Sequence, residues 1–202
     1  LKTKYGKGKA RKTEIKTFEN IVATKVVVAN KKLYVNKEEG FIGTSMRKDE
    51  YICDCSDIDD IIAFKKDGTF MVSKVDSKVF MGKSIIHCAV FKKKDNRTVY
   101  NMIYKDGGKG INYIKRFSVT GVTRNKDYSL CKTDKGSKVL YFTSNTNGEA
   151  EVVTVHLRAL KKLKKLRFDS DFSEIVIKGR SSGGNILSKN SIKKIEMKSE
   201  GV

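Results

Sequence analysis

Ile61-Ile62-Ala63-Phe64-Lys65-Lys66-Asp67-Gly68-Thr69-Phe70-Met71-Val72 places two runs of β-branched and aromatic residues on either side of an Asp-Gly pair. A tight hairpin turn needs positive φ, which glycine adopts without a Cβ clash, so this stretch reads as two antiparallel strands. The arrangement recurs along the chain. Asn101-Met102-Ile103-Tyr104 faces Tyr113-Ile114-Lys115-Arg116-Phe117 across Asp106-Gly107-Gly108. Val139-Leu140-Tyr141-Phe142 faces Val152-Val153-Thr154-Val155 across Thr146-Asn147-Gly148. An earlier member without glycine runs from Val26-Val27-Val28 through Ala29-Asn30-Lys31-Lys32 to Leu33-Tyr34-Val35. Gly68, Gly108 and Gly148 are spaced by 40 and 40 residues, the first sign of a repeat.

A second ladder runs beside the first: Phe41-Ile42-Gly43, Phe80-Met81-Gly82, Val119-Thr120-Gly121 and Ile177-Lys178-Gly179. Its first three glycines are 39 and 39 residues apart. Between the last hairpin turn and Gly179 lies a basic insertion, Arg158 to Arg167, where Leu157, Leu160, Leu163 and Leu166 suggest an amphipathic turn or two. Asn185-Ile186-Leu187 and Ile192-Lys193-Lys194-Ile195 read as a last strand pair. The pattern predicts an all-β fold of four to five small blades, each of four short strands and about forty residues, set radially as in propellers. The expected repeats cover residues 20–56, 57–95, 96–135 and 136–178, with a basic segment at 1–13 and a closing segment at 179–202, all within one domain spanning 1–202. The competing architecture is a β-sandwich of ordinary hairpins.

A chain of 202 residues can bury roughly 70% of its unfolded surface and needs no staples. Its first residues, Leu1-Lys2-Thr3-Lys4-Tyr5, form no signal peptide and lack a starting Met, so it reads as a piece of something longer. No apolar run reaches membrane-spanning length. Cys53, Cys55, Cys88 and Cys131 match neither a disulfide framework nor a paired zinc motif and read as free thiols. Gly82-Lys83-Ser84 resembles the end of a phosphate-binding loop, but Ser77 stands where its first glycine belongs, so a turn is expected. His156 reads as a packed or surface strand histidine, and Asp57, Asp59 and Asp60 as a solvated turn. No constellation of catalytic groups emerges, and neither metal nor cofactor is expected in this domain.

Charge is the dominant signal. Lys and Arg number 43 against 23 Asp and Glu, a formal charge of +20 that calls for a polyanionic partner. A basic residue follows each glycine of the second ladder: Arg47, Lys83, Arg124 and Arg180. If the blades are equivalent, these four form a ring that contacts phosphates without reading bases. Lys7, Lys9, Arg11 and Lys12 at the start, Arg116 on a strand, and Lys161, Lys162, Lys164 and Lys165 in the insertion extend the set. Lysine outnumbers arginine 35 to 8, which favours loose phosphate contacts over bidentate guanine recognition. The alternatives are a generic solvated lysine surface and a propeller that binds another protein.

The forty-residue units, with Phe64-Lys65-Lys66-Asp67-Gly68-Thr69-Phe70 and Lys178-Gly179-Arg180-Ser181-Ser182-Gly183-Gly184, resemble the C-terminal domain of the A subunit of bacterial type IIA topoisomerases, DNA gyrase and topoisomerase IV. Ile86-His87-Cys88-Ala89-Val90-Phe91 and Gly148-Glu149-Ala150-Glu151-Val152-Val153 are similar to Bacteroides-type topoisomerase IV members, and the likeness covers residues 14 to 198. The resemblance implies a β-pinwheel, whose blades exchange strands, that binds and bends double-stranded DNA. It further implies a bacterial cytoplasmic, nucleoid-associated enzyme. In that enzyme the breakage-reunion domain preceding this one, together with the B subunit, ATP and Mg2+, performs strand passage. Of the gyrase box, only Gly6-Lys7-Gly8 has a counterpart here, which favours topoisomerase IV over gyrase. None of the eight tyrosines follows an arginine, so the DNA-cleaving tyrosine is expected outside this chain.

Overall fold

A computed structural model describes residues 29–159 and 163–198. The described residues build sixteen strands in four sheets. The first unit holds β1 (Lys31–Asn36), β2 (Phe41–Gly43) and β3 (Glu50–Cys55). The second holds β4 (Asp60–Lys65), β5 (Thr69–Lys74), β6 (Val79–Phe80) and β7 (Ile85–Phe91). In the third are β8 (Val99–Lys105), β9 (Asn112–Ser118), β10 (Tyr128–Ser129) and β11 (Lys138–Asn145). The fourth comprises β12 (Val152–Leu157), β13 (Arg167–Asp171), β14 (Ile177–Gly179), β15 (Asn185–Ser188) and β16 (Ile192–Met197).

One pairing rule generates all four sheets. The first two strands of a unit form a hairpin, and the last strand returns beside the first: β3 on β1, β7 on β4, β11 on β8, β16 on β12. The free edge of the second strand is covered by the following unit. Thus β6 pairs with β2, β10 with β5, and both β14 and β15 with β9. This exchange makes the fold a β-pinwheel. The returning strands β3, β7 and β11 share a cleft of about 550 Å3 through Cys53, Ala89, Val90 and Ser144. In the first three sheets the donated strands occupy the opposite, outer edge.

Backbone hydrogen bonds lock successive units. Met81 N donates to Gly40 O (2.8 Å) and Ile85 N to Lys37 O (2.9 Å). One unit on, Leu130 N donates to Gly68 O and Val139 N to Lys66 O, both at 2.9 Å. Apolar side chains fill the spaces between sheets. Leu33, Ile42, Ile61 and Met81 form one cluster, Phe64, Phe70, Tyr100 and Phe117 a second, and Ile103, Val153, Val155 and Phe172 a third. Phe64 is the hub of the second, with Tyr100 and Phe142 at centroid distances of 4.6 and 4.7 Å.

The hairpins at Gly68 and at Asp106 to Gly108 pair as the sequence predicts, with Phe64 opposite Phe70 and Tyr104 opposite Tyr113. Three other expectations are corrected. Among the described residues the first hairpin turn lies at Lys37–Gly40; Lys31 and Lys32, expected in a turn at Asn30, belong to β1, and Val26-Val27-Val28 lies outside the described residues. Asn36 supplies a side-chain acceptor to Glu39 N and Gly40 provides φ +83°, two features that Ala29-Asn30-Lys31-Lys32 lacks. Around Gly148 there is no hairpin: β11 pairs with β8 and β12 with β13 and β16, so Thr146–Gly148 is a linking 3-10 turn between units. Asn185–Ser188 and Ile192–Met197 belong to different sheets. Of the basic insertion, the described residues form no helix. They belong to the connection between β12 and β13, closed by Leu157 N donating to Leu166 O at 2.8 Å.

Gly40 approaches Gly82 so closely that a Cβ would sit 2.2 Å from the Gly82 carbonyl oxygen. Gly40→Ala combines that clash with a left-handed backbone and is expected to cost about 3 kcal/mol in urea unfolding. A loss within about 0.5 kcal/mol would contradict the turn-to-turn lock. His87 on β7 lies among Phe64, Tyr100 and Phe142, and its Nε2 is buried with no hydrogen-bond partner. Burial, aided by the charge of Lys37, pulls its imidazole below the usual histidine range. The folded state therefore holds His87 neutral while the unfolded chain takes up a proton at about pH 6.5. Stability should fall on acidification through this window by at most about 1.4 kcal/mol per pH unit, and His87→Phe should flatten that slope.

Candidate nucleic-acid interface

The outer edge of the pinwheel repeats a small motif. Where a donated strand meets its host, Phe41 faces Phe80, Phe70 faces Tyr128 and Tyr113 faces Ile186. Phe41 and Phe80 lie 5.2 Å apart, and Phe70 stacks on Tyr128 at 5.4 Å. Each host strand thus presents a ring at an equivalent station, and a cation covers a ring at every junction. Lys78 Nζ is 4.2 Å from the Phe41 centroid, Lys126 Nζ 5.6 Å from that of Tyr128, and Lys132 Nζ 4.2 Å from that of Tyr113. The Arg180 guanidinium stands 4.1 Å from the Tyr128 ring.

A cation over an aromatic face is attracted by the ring quadrupole, which restricts a long side chain without consuming its charge. Lys78, Lys126 and Lys132 remain exposed, and no carboxylate lies in ion-pair contact with any of them among the described residues. The Thr123 amide donates to the Tyr128 hydroxyl at 2.9 Å. With the charges of Lys126 and Arg180, it holds that hydroxyl below the usual tyrosine range. Such an edge can place several fixed positive charges at successive sheet junctions.

The four cations read from the glycine ladder do not occupy equivalent stations. Gly43 ends β2, Gly82 follows the donated strand β6, Gly121 lies in the loop before β10, and Gly179 ends β14. Arg47 is exposed beside Lys31, Lys32 and Tyr34, in the connection after β2. Lys83 lies in the turn after β6, where it borders a groove with Lys66 and Lys138. Arg180 lies over the Tyr128 ring, whereas Arg124 Nε lies 2.8 Å from Asp60 Oδ1 in an ion-pair contact not aligned as a hydrogen bond. Lys164 and Lys165 are exposed between β12 and β13. Lys7, Lys9, Arg11, Lys12, Lys161 and Lys162 lie outside the described residues.

Arg116 is a correction. It is 6% exposed on β9, and Nε donates to Asn101 Oδ1 (3.1 Å) while Nη2 donates to the carbonyls of Gly148 (2.5 Å) and Glu149 (3.2 Å). Asn101 in turn donates to Glu151 (2.7 Å), whose carboxylate also accepts from Tyr141, Thr143 and Asn145. This network ties the third unit to the start of the fourth and leaves no guanidinium face for a ligand. Sequence reasoning missed Lys78, Lys126 and Lys132. The usable signal was local, because Lys78 and Lys126 each stand two residues before the outer-strand ring, Phe80 and Tyr128.

The other motifs are structural. Gly82 (φ +97°) and Ser84 (φ +60°) shape a turn whose Ser84 carbonyl accepts from Lys66 N at 3.0 Å. Asp59 accepts from Ser56 N, and Asp57 from the Ser56 hydroxyl. His156 Nε2 lies 2.9 Å from Glu196 on the adjacent strand. All four cysteines are free, and burial pushes Cys55 up to about 11 and Cys88 and Cys131 up to about 12. No helix among the described residues is long and apolar enough to cross a membrane.

The family described as topoisomerase C-terminal domain, Bacteroidota, matches residues 32–200. The A subunit of DNA topoisomerase 4 from Borreliella burgdorferi (strain ATCC 35210 / DSM 4680 / CIP 102532 / B31) is 25% identical over 199 residues. The match takes in 98% of this chain and 30% of that protein, so the chain spans under a third of that relative's length. A crystal structure of the C-terminal domain of DNA topoisomerase IV superposes with a TM-score of 0.58 at 11% identity, over 85% of this chain and 62% of that one. Arg116→Ala is expected to lower stability by about 3 kcal/mol, because buried acceptors lose their charged donor. Urea unfolding of the variant checks this, and a loss within about 0.5 kcal/mol would contradict the structural role of Arg116.

Proposed function

The chain belongs to the C-terminal domains of bacterial type IIA topoisomerase A subunits, and from that premise we propose that it binds and bends double-stranded DNA without itself catalysing a reaction. On this reading it presents the duplex to the breakage-reunion domain of its own subunit. That domain, with the B subunit, ATP and Mg2+, passes one double strand through another in the bacterial nucleoid. Decatenation and relaxation in the manner of topoisomerase IV are favoured over gyrase-type supercoiling, since the box associated with gyrase has only its Gly-Lys-Gly part here.

The observation that carries the reading is the outer edge, where Lys78, Lys126 and Lys132 sit over rings at successive sheet junctions. A duplex carries one negative charge per about 1.7 Å of its axis, and each phosphate neutralised releases counterion. Bending 20 to 30 base pairs by 40 to 90° costs on the order of 1 to 6 kcal/mol, which several such contacts along a curved edge can offset. Lysine ammoniums on rings contact phosphates as point charges, so binding should be nearly indifferent to sequence.

A second reading, in which the edge docks a protein, has one observation in its favour: Phe80 and Ile186 on the donated strands are more than half exposed. Duplex titrations between 50 and 200 mM salt separate the two. Replacing Lys78, Lys126 and Lys132 together by Ala should weaken binding to unrelated sequences alike. It should also lower the slope of log affinity against log salt by about 0.9 per lost contact. Wild-type binding that ignores salt, or a triple variant with the wild-type slope, would overturn the DNA reading of this edge.

A further inference from the structure

We propose that Lys115 is a positioning residue for the outer-edge cation Arg180: its buried ammonium holds the loop Gly179–Gly184 in the shape that seats the Arg180 guanidinium over Tyr128. This role rests on the DNA-binding reading of the outer edge.

Lys115 lies on β9 and is 1% exposed. Its Nζ donates to three backbone carbonyls, those of Leu130 (2.9 Å), Arg180 (2.9 Å) and Ser182 (2.6 Å), and stands 4.6 Å from the Phe117 ring. Among the described residues no carboxylate is in ion-pair contact with it. Burial accordingly pulls its ammonium down to about 8. An ammonium has three donors and no acceptor, so three carbonyls satisfy it completely. Removing a charge from water is costly, and the cost is offset only where every proton finds a good acceptor. An apolar residue would avoid the cost in a purely structural core. Here it would also leave three carbonyls unpaired, two of them belonging to one loop.

That loop is held at nearly every residue. The Tyr104 hydroxyl donates to Gly183 O at 2.6 Å, and Ser182 N donates to Gly179 O at 3.1 Å. Gly184 takes φ +79°, and a Cβ there would lie 2.6 Å from the Ile114 carbonyl oxygen. At Gly183 a Cβ would lie 2.5 Å from Lys132 Cε, so the loop also packs against another outer-edge cation. Lys115 thus joins the second strand of the third unit to its own outer strand through Leu130 and to the fourth unit through Arg180 and Ser182. While its carbonyl is held by Lys115, Arg180 extends its guanidinium to the ring of Tyr128. Freedom removed beforehand in this way lowers the ordering cost of a phosphate contact.

A double-mutant cycle on duplex binding tests the assignment, using wild type, Arg180→Ala, Lys115→Met and the double variant over 50 to 200 mM salt. Each single change should lower the salt slope by about one unit, and the double variant should match Arg180→Ala alone. A Lys115 that only supported the fold would lower affinity equally in both backgrounds. That result overturns the proposal, as does a folded Lys115→Met with the wild-type slope or an Arg180→Ala that binds normally. If Lys115→Met does not fold, Tyr104→Phe takes its place in the cycle. It removes the second clamp on the same loop, and its effect must likewise vanish when Arg180 is absent. A wild-type titration without salt dependence removes the DNA reading itself and this role with it, a failure distinct from an unaltered slope in a protein that does bind.

Discussion

The second strand of each of the first three units is left with an open edge by its own unit, and the next unit closes it. Exposed strand edges are templates for aggregation, and the exchange covers them with backbone from the same chain. The covering strands are as short as Val79–Phe80 and Tyr128–Ser129, so their own ladders contribute little. Their placement depends instead on the turns, where Gly40 meets Gly82 and Gly68 meets the side chain of Cys131. Two backbone bonds between turns recur from the first junction to the second. Because every unit is completed by its neighbour, the geometry of one junction fixes the next, and an array of outer-edge groups inherits a regular spacing.

That inheritance links packing to electrostatics. On a surface with a net charge of +20, most lysines repel one another and sample many rotamers. The outer-edge cations differ because a ring at each junction, Phe41 and Tyr113 on host strands and Tyr128 on a donated strand, offers a seat. Phe70, buried in the core cluster, supports Tyr128, and Tyr104 stacks on Tyr113 at 5.4 Å. The apolar interior and the charged rim are therefore continuous. Acidic groups restrain some cations and leave others free. Lys65 is held to Asp127 at 2.7 Å, Lys37 to Glu50 at 2.7 Å and Arg124 faces Asp60, whereas Lys78, Lys126 and Lys132 keep their charge open.

Local hairpins were legible in the sequence because both strands flank one short turn and the turn chemistry names itself, as at Lys66-Asp67-Gly68. The exchange was not. Phe41 meets Phe80, Phe70 meets Tyr128 and Tyr113 meets Ile186 at separations set by loop lengths that differ in each unit. For the same reason a glycine spacing of 39 residues joined stations that are unlike in space, and a spacing of 40 made a hairpin of the link at Gly148. The resemblance to a known family carried the β-pinwheel where periodicity alone left a sandwich open. Site residues were hardest, since exposure and ring contact decide them: Arg116 and Lys115 are as basic in sequence as Lys126, yet both are interior.

Under the DNA-bending function proposed above, those interior cations bear on how a rigid scaffold holds a duplex. A duplex following a curved edge stores elastic energy, and a soft edge would yield until the duplex straightened. Each phosphate contact opposes straightening only as far as the group making it is fixed to the frame. Arg116 bonds the link between the third and fourth units, and Lys115 bonds the loop of the fourth to the sheet of the third. Both are charged, and both donate mainly to main-chain carbonyls, where directional charge-assisted bonds resist displacement more than apolar contact does. The third junction also carries two donated strands on one host, so it has more backbone to restrain than the other two. Buried charge at this junction therefore gives stiffness where a second donated strand would otherwise add freedom.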